Sequence, residues 1–130
     1  MTIAIVCSAL LALLLFGLGL YVSILRQLRR RIIGHDADPR DPIHRAVRAH
    51  ANTAEYAPIL AVLFLWHGAH EPSAWIIGTV IVATAARFLT VAGLLSFSPL
   101  DRPNPARFLG ALLTYLCGLA LAAAMLARYI

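Results

Sequence analysis

The segment RAVRAHANTAEYAPILAVLFLW, residues 45–66, holds the residues best suited to chemistry. Arg48, Asn52 and Glu55 recur at i, i+4 and i+7, with Arg45 close beside them. At about 100° per residue these positions share one stripe of an α-helix, so a cation, an amide and a carboxylate stand in a row. The opposite face, with Ala46, Val47, Ala54 and Ala57, is small and apolar. Such a row suits a charged ligand: guanidinium groups pair with anions, and a lone carboxylate pairs with an ammonium.

The second half of the same segment sets the depth of that stripe. Ala57 to Trp66 carries no charge. This run gives about 15 Å of helix, half the thickness of a bilayer core. A spanning helix must therefore draw roughly ten more residues from its polar start. A charge facing lipid at the bilayer centre costs about 2.5–3.5 kcal/mol. The stripe is thus expected to face protein or a wet cavity. Pro58 deprives the Ala54 carbonyl of its helical donor and predicts a bend nearby.

The rest of the chain supplies the bilayer. Of 130 residues, 61% are hydrophobic and only 13% are charged. A mean hydropathy of +0.80 lies far above that of a soluble domain and points to a membrane protein, 130 residues suffice for one domain, and the four apolar spans below make the expected fold an all-α membrane bundle. All 11 basic residues are arginine, and six acids leave a net charge of +5. In a soluble protein this balance would suggest nucleic acid; here the arginines sit between apolar runs, which argues against that partner. Cys7 and Cys117 lie inside apolar runs and read as small buried hydrophobes, with no metal-ligand spacing and no disulfide framework.

The hydropathy pattern predicts four spanning helices, at approximately residues 3–31, 43–66, 73–97 and 106–129. The first run is followed, not preceded, by Arg26, Arg29, Arg30 and Arg31, which marks a retained span rather than a signal peptide. Loops fall at Gly34–Pro42, His67–Pro72 and Ser98–Pro105. Asp41-Pro42 and Asn104-Pro105 have the form of a helix N-cap followed by a first-turn proline. Gly17, Gly19, Gly78, Gly93, Gly110 and Gly118 allow helices to approach closely in lipid.

Arginines crowd loops one and three and are absent from loop two, so the positive-inside rule places loops one and three in the cytoplasm and both termini opposite. Arg87, within the third span, and Arg107, in the first turn of the fourth, then share the cytoplasmic half with the stripe. The expectation is an intramembrane pocket with surplus arginine that takes an anionic ligand. Simpler roles are open to several of these residues. Glu55 could pair with Arg48 or Arg87, Arg107 could snorkel to the interface, and Arg26 and Arg29 to Arg31 could anchor the membrane surface. Tyr21, Tyr115, Tyr129, Trp66 and Trp75 read as packing or interface-belt residues. His50 stands one helical step off the stripe. His35, His44, His67 and His70 lie in or beside loops and receive no chemistry.

The pattern R-A-V-R-A-H-A-N-T-A-E-Y-A-P resembles the helix-two signature of the MAPEG family, the membrane-associated proteins in eicosanoid and glutathione metabolism. Arg45, Arg48, Ala49, Asn52, Glu55 and Pro58 carry the match, and the stretches around Arg87 and Arg107 resemble bacterial members. The resemblance covers nearly the whole chain. It implies a four-helix protomer in a homotrimer, with glutathione bound between protomers near the cytoplasmic side. Arg48, Asn52, Glu55 and Tyr56 would hold the tripeptide, with Glu55 at its α-amino group and the arginines at its carboxylates. Arg87 would support the pocket, and Arg107 would stabilise the thiolate. A helix-one arginine, Arg26, Arg29 or Arg30, would reach a carboxylate. The positions where well-studied members carry a histidine and tyrosines correspond to Thr90, Gly93 and Ala111.

The implied activity is glutathione transfer to, or glutathione-dependent reduction of, lipophilic electrophiles in the bilayer, in detoxification and without a metal. A bacterial member would lie in the inner membrane. The alternative is a non-catalytic ligand-binding or scaffold protein of the same fold. A small four-helix multidrug transporter is the more distant reading, because such proteins carry their essential glutamate in the first helix, and this first helix has no acid.

Overall fold

The computed structural model describes residues 1–34, 37–96 and 99–130; His35, Ser98 and position 97, the expected end of the third span, lie outside them. Four helices follow one another: α1 (Thr2–Leu28), α2 (Pro42–Ala69), α3 (Ala74–Leu95) and α4 (Pro105–Leu126). α1 packs chiefly on α2 and α3 on α4, and the two pairs meet through α2–α3 and α1–α3 contacts. The described residues contain no strand, and the chain is an all-α membrane bundle.

Both sequence-marked helix starts are formed by the residues expected. Asp41 accepts the His44 backbone N–H through Oδ2 at 2.9 Å, and Pro42 opens α2. Asn104 accepts the Arg107 N–H through Oδ1 at 3.1 Å, and Pro105 opens α4. In each case a side-chain oxygen satisfies an N–H that has no partner within the helix.

The helix ends differ from the sequence reading. α1 stops at Leu28, before Arg29, Arg30 and Arg31. Arg30 takes φ 52°, its N–H bonds Gln27 O at 3.1 Å, and the Arg31 N–H bonds Arg26 O at 2.9 Å. This pair of bonds is a Schellman termination built on arginine where glycine is usual. α2 continues through His67 and Gly68 to Ala69, because both residues are buried rather than looped. His67 Nε2–H donates to Leu121 O at 2.9 Å, and a Cβ on Gly68 would lie 2.6 Å from Ala4 Cβ. α3 ends at Leu95, with Ser96 as its cap.

α1, α3 and α4 are each long and apolar enough to cross a membrane. α2, with 28 residues, has the length, but Arg45, Arg48 and Glu55 interrupt its start. Counting about 20 residues back from Ala69 keeps Asn52 and Glu55 within the core and leaves Arg48 at its edge. Large apolar side chains face outward, as lipid requires: Leu13, Phe16, Leu20, Phe108 and Leu119 are all exposed.

The interior has two apolar zones. One, toward loop two, gathers Leu11, Leu60, Phe64, Val80 and Leu121; the other, toward loops one and three, gathers Leu18, Ala49, Val91 and Leu94. Along α2 and α3, Asn52 and Arg87 fall between the residues that build the two zones. Buried hydroxyls of Thr53, Thr84, Thr90 and Thr114 donate to the carbonyl four residues earlier, so none of these hydroxyl protons is stranded in the apolar interior.

Candidate functional site

Within α2 the polar stripe divides. The buried face runs through Ala46, Ala49, Thr53, Ala57 and Leu60. Arg48, Glu55 and Ile59 point away from it and are exposed. The expectation that the stripe faces protein is therefore not met within one chain: two of its charged members look outward. Asn52 stands about 40° round from Arg48, toward α3, and is half-buried.

That rotation gives Asn52 the partner that the sequence offered to Glu55. Arg87 has 0% of its surface exposed, and its Nη2 donates to Asn52 Oδ1 at 2.8 Å and to Asn52 O at 3.2 Å. Its guanidinium carbon lies 5.3 Å from the Tyr56 ring centroid, within cation–π range. Nε is buried without a hydrogen-bond partner. Among the described residues Glu55 forms an ion pair with neither Arg48 nor Arg87. Arg87 thus binds α3 to α2, fixes the Asn52 side chain, and leaves a buried cation with no carboxylate against it.

A cleft of about 410 Å³ lies beside this pair, with Arg48, Asn52, Thr90, Arg107, His44 and Asp101 among its lining. It joins α2, α3, α4 and loop three. Arg107 is held at its rim: Nη1 donates to Leu100 O at 3.0 Å and Nη2 to Arg102 O at 3.0 Å. Of the five guanidinium N–H groups, three remain for a ligand. The backbone of Arg107 is positioned by Gly93, where a Cβ would lie 2.5 Å from Arg107 N. Gly110 has the same role further along the crossing: its Cβ would collide with Thr90 Oγ1 and lie 2.8 Å from Ala86 O. α3 and α4 can cross this closely only because both positions lack a side chain.

Loop three is tied down from two helices. Arg45 Nη1 donates to Ser96 O, and the Leu100 N–H donates to Pro39 O at 3.2 Å, joining loop three to loop one. Asn104 Nδ2 reaches Ser96 Oγ at 2.9 Å and Gly93 O at 3.2 Å.

Of the residues singled out in the sequence, the cleft brings together Arg48, Asn52 and Arg107, with Arg87 behind Asn52. Glu55, Tyr56 and Arg30 stand outside it. Tyr56 turns toward α4, with its hydroxyl 3.4 Å from that of Tyr115 and the ring centroids 5.5 Å apart. Arg30 borders a separate open groove with Ser23, Arg26, Gln27 and Arg31, along the last turns of α1 and the residues that follow it. The sequence reading passed over Asp101, gave His44 no chemistry and gave Tyr115 only a packing or interface role. Asp101, the sole acid of loop three, and His44, in the first turn of α2, both line the cleft. Tyr115 faces Tyr56 across helices, a contact for which the sequence carries no signal.

The arrangement offers two exposed or half-exposed guanidiniums, one amide held in a fixed orientation and one carboxylate, beside an apolar bilayer. It can hold a small polyvalent anion and keep it within reach of apolar molecules arriving from lipid. The MAPEG family profile matches residues 4–127 of the chain. No curated protein and no solved structure matches it.

Proposed function

The chain belongs to the MAPEG family, and from that membership we propose that it is a membrane-bound glutathione transferase or peroxidase. It would join glutathione to hydrophobic electrophiles through a thiolate stabilised by Arg107. Family membership supports the general class, membrane proteins of glutathione and eicosanoid metabolism. The observation that carries the finer reading is the meeting of Arg48, Asn52 and Arg107 on one cleft of about 410 Å³, with buried Arg87 orienting Asn52.

Glutathione carries two carboxylates, one ammonium and a thiol. Arg48 pairs with a carboxylate, and Asn52, held by Arg87, donates through its amide nitrogen. The thiol loses its proton to water at the open mouth of the cleft. The three unused N–H groups of Arg107 and the N-terminal end of α4 stabilise the thiolate that remains. That sulfur attacks an electrophilic carbon delivered by the bilayer and forms a C–S bond; in a substitution the carbon–leaving-group bond breaks and the group departs as an anion, and in an addition the displaced electron pair takes a proton from water.

Arg48 and Glu55 also bear on assembly. Both are exposed on a helix that crosses the membrane, and lipid is a poor neighbour for either. A homotrimer covers them, with Glu55 of one protomer reaching the ammonium of glutathione held by the next and Tyr56 and Arg30 approaching from the same interface. Loops one and three then face the cytoplasm, where glutathione is dissolved, and a bacterial host would carry the protein in its inner membrane.

A second reading, a non-catalytic ligand-binding protein, draws on the commitments already made by the cleft: Arg107 donates to Leu100 O and Arg102 O, and Thr90 donates to Ala86 O. Turnover of 1-chloro-2,4-dinitrobenzene by the purified protein, with Arg107→Ala beside the wild type, separates the two. The enzyme reading expects kcat to fall at least roughly 100-fold in the variant, the usual cost of losing one oxyanion-type donor, with glutathione affinity changing far less. Equal turnover in both proteins removes Arg107 from the mechanism.

A further inference from the structure

The opposite end of the bundle, around loop two, carries a site of different chemistry. An apolar cavity of about 200 Å³ lies between the start of α1, the end of α2 and the start of α3, against Ala4, Phe64, Ile77 and Val80. A polar cleft of about 180 Å³ adjoins it, and the two share His67, Pro72 and Ile76 as walls. Glu71 and Arg128 stand on the polar cleft, with no ion pair between them among the described residues. Arg128 is the one arginine at this end of the sequence. A cleft that presents a cation and a carboxylate separately is complementary to a zwitterion.

The side chains around it are ordered by contacts of their own. The Trp66 ring stacks on His70 at 4.3 Å, and the Arg128 guanidinium carbon lies 5.7 Å from the Trp66 centroid. His67, only 5% exposed, meets Trp66 edge-on at 4.8 Å and spends its Nε2 proton on Leu121 O. Glu71 holds φ 48°, a left-handed backbone that a non-glycine residue seldom adopts and that recurs at ligand clamps. Trp75 and Tyr129 are 56% and 71% exposed at the same level, as side chains at the headgroup region are. The apolar cavity runs inward from this belt: Val80 lies about 7 Å deeper along α3 than Trp75.

We propose that this end of the chain binds one phospholipid with a primary-ammonium zwitterionic headgroup, from the leaflet facing loop two. The phosphate sits at Arg128, the ammonium at Glu71, and the upper part of one acyl chain fills the apolar cavity. An anionic phospholipid satisfies Arg128 and leaves Glu71 facing a like charge or nothing. A headgroup without chains leaves the apolar cavity empty.

The test is a titration of the detergent-purified, delipidated full chain, with bound lipid counted by native mass spectrometry. The probes are palmitoyl-oleoyl phosphatidylethanolamine, palmitoyl-oleoyl phosphatidylglycerol and chainless glycerophosphoethanolamine. The wild type is expected to bind the ethanolamine lipid at least roughly tenfold tighter than the glycerol lipid, the lower range for a charge-assisted hydrogen bond. Glu71→Gln removes that preference, and Arg128→Gln weakens both lipids by about the same factor. Both residues are exposed, so the variants keep the helical fold, which circular dichroism checks. Equal wild-type affinity for the two lipids overturns the proposal, as does a preference that survives Glu71→Gln. Comparable binding of the chainless compound overturns it too, because the site would then recognise a soluble headgroup rather than a lipid.

Discussion

The bond between Arg87 and Asn52 ties α3 to α2 and orients an amide of the proposed glutathione cleft, and a double-mutant cycle measures it. Arg87 is fully buried, and Asn52 supplies two acceptors to it, Oδ1 at 2.8 Å and the backbone O at 3.2 Å. Asn52→Leu removes the first and keeps the second. The expected cost is about 1.5–3 kcal/mol, the range for a hydrogen bond to a charged group, since the buried guanidinium loses a partner it cannot replace with water. Arg87→Met strands the Asn52 oxygen and costs about 1–3 kcal/mol. The double variant replaces a buried polar pair with two apolar side chains of similar reach and should cost less than the sum of the singles by about 1.5–3 kcal/mol. Reversible unfolding in mixed detergent micelles, followed by helical circular dichroism, gives the four free energies. A coupling near zero would refute the reasoning, because it would mean that Arg87 and Asn52 do not rely on one another in the folded chain.

Other positions make separate predictions. Gly93→Ala puts a methyl group 2.5 Å from Arg107 N, so α4 must shift; a loss of about 1–3 kcal/mol and weaker glutathione binding are expected in calorimetry. Gly17→Ala meets nothing within 4 Å and should instead raise stability by roughly 0.5–1 kcal/mol through helix propensity. At the end of α1, Arg30→Gly should be more stable than Arg30→Ala by about 1 kcal/mol in the same unfolding assay, because only glycine takes φ 52° without cost. Glu55→Gln should weaken glutathione by about 1.5–3 kcal/mol if a neighbouring protomer's ligand reaches it, while Asp101→Asn leaves affinity within about 0.5 kcal/mol; the reverse pattern would move the ammonium to loop three.

What the sequence revealed depended on how local each signal was. The starts of α2 and α4 were legible because Asp41 and Asn104 act on N–H groups three residues away, with a proline between. The end of α1 was not, because its termination rests on Arg30 in a left-handed conformation, where glycine is the readable sign. α2 runs further than expected because His67 and Gly68, turn-like in composition, are buried against Leu121 and Ala4 on other helices. Helical periodicity put Arg48, Asn52 and Glu55 on one stripe, yet it could not say which edge of that stripe meets α3. A turn of about 40° gave Asn52 to Arg87 and left Glu55 outside. The importance of Arg87 was visible from a charge inside an apolar span; its partner was not. Asp101 and Tyr115 enter only through the crossing of α3 and α4, set by Gly93 and Gly110.

We propose above that the arginine cleft binds glutathione and holds its sulfur as a thiolate. The most direct measurement is titration of glutathione into the detergent-purified chain by calorimetry, with ultraviolet difference absorbance in the thiolate band recorded on the same samples near neutral pH. Saturable binding with a thiolate signal that disappears in Arg107→Ala is the predicted result. Binding without that signal would contradict the catalytic role of Arg107, and no binding at all would contradict the assignment of the cleft to glutathione.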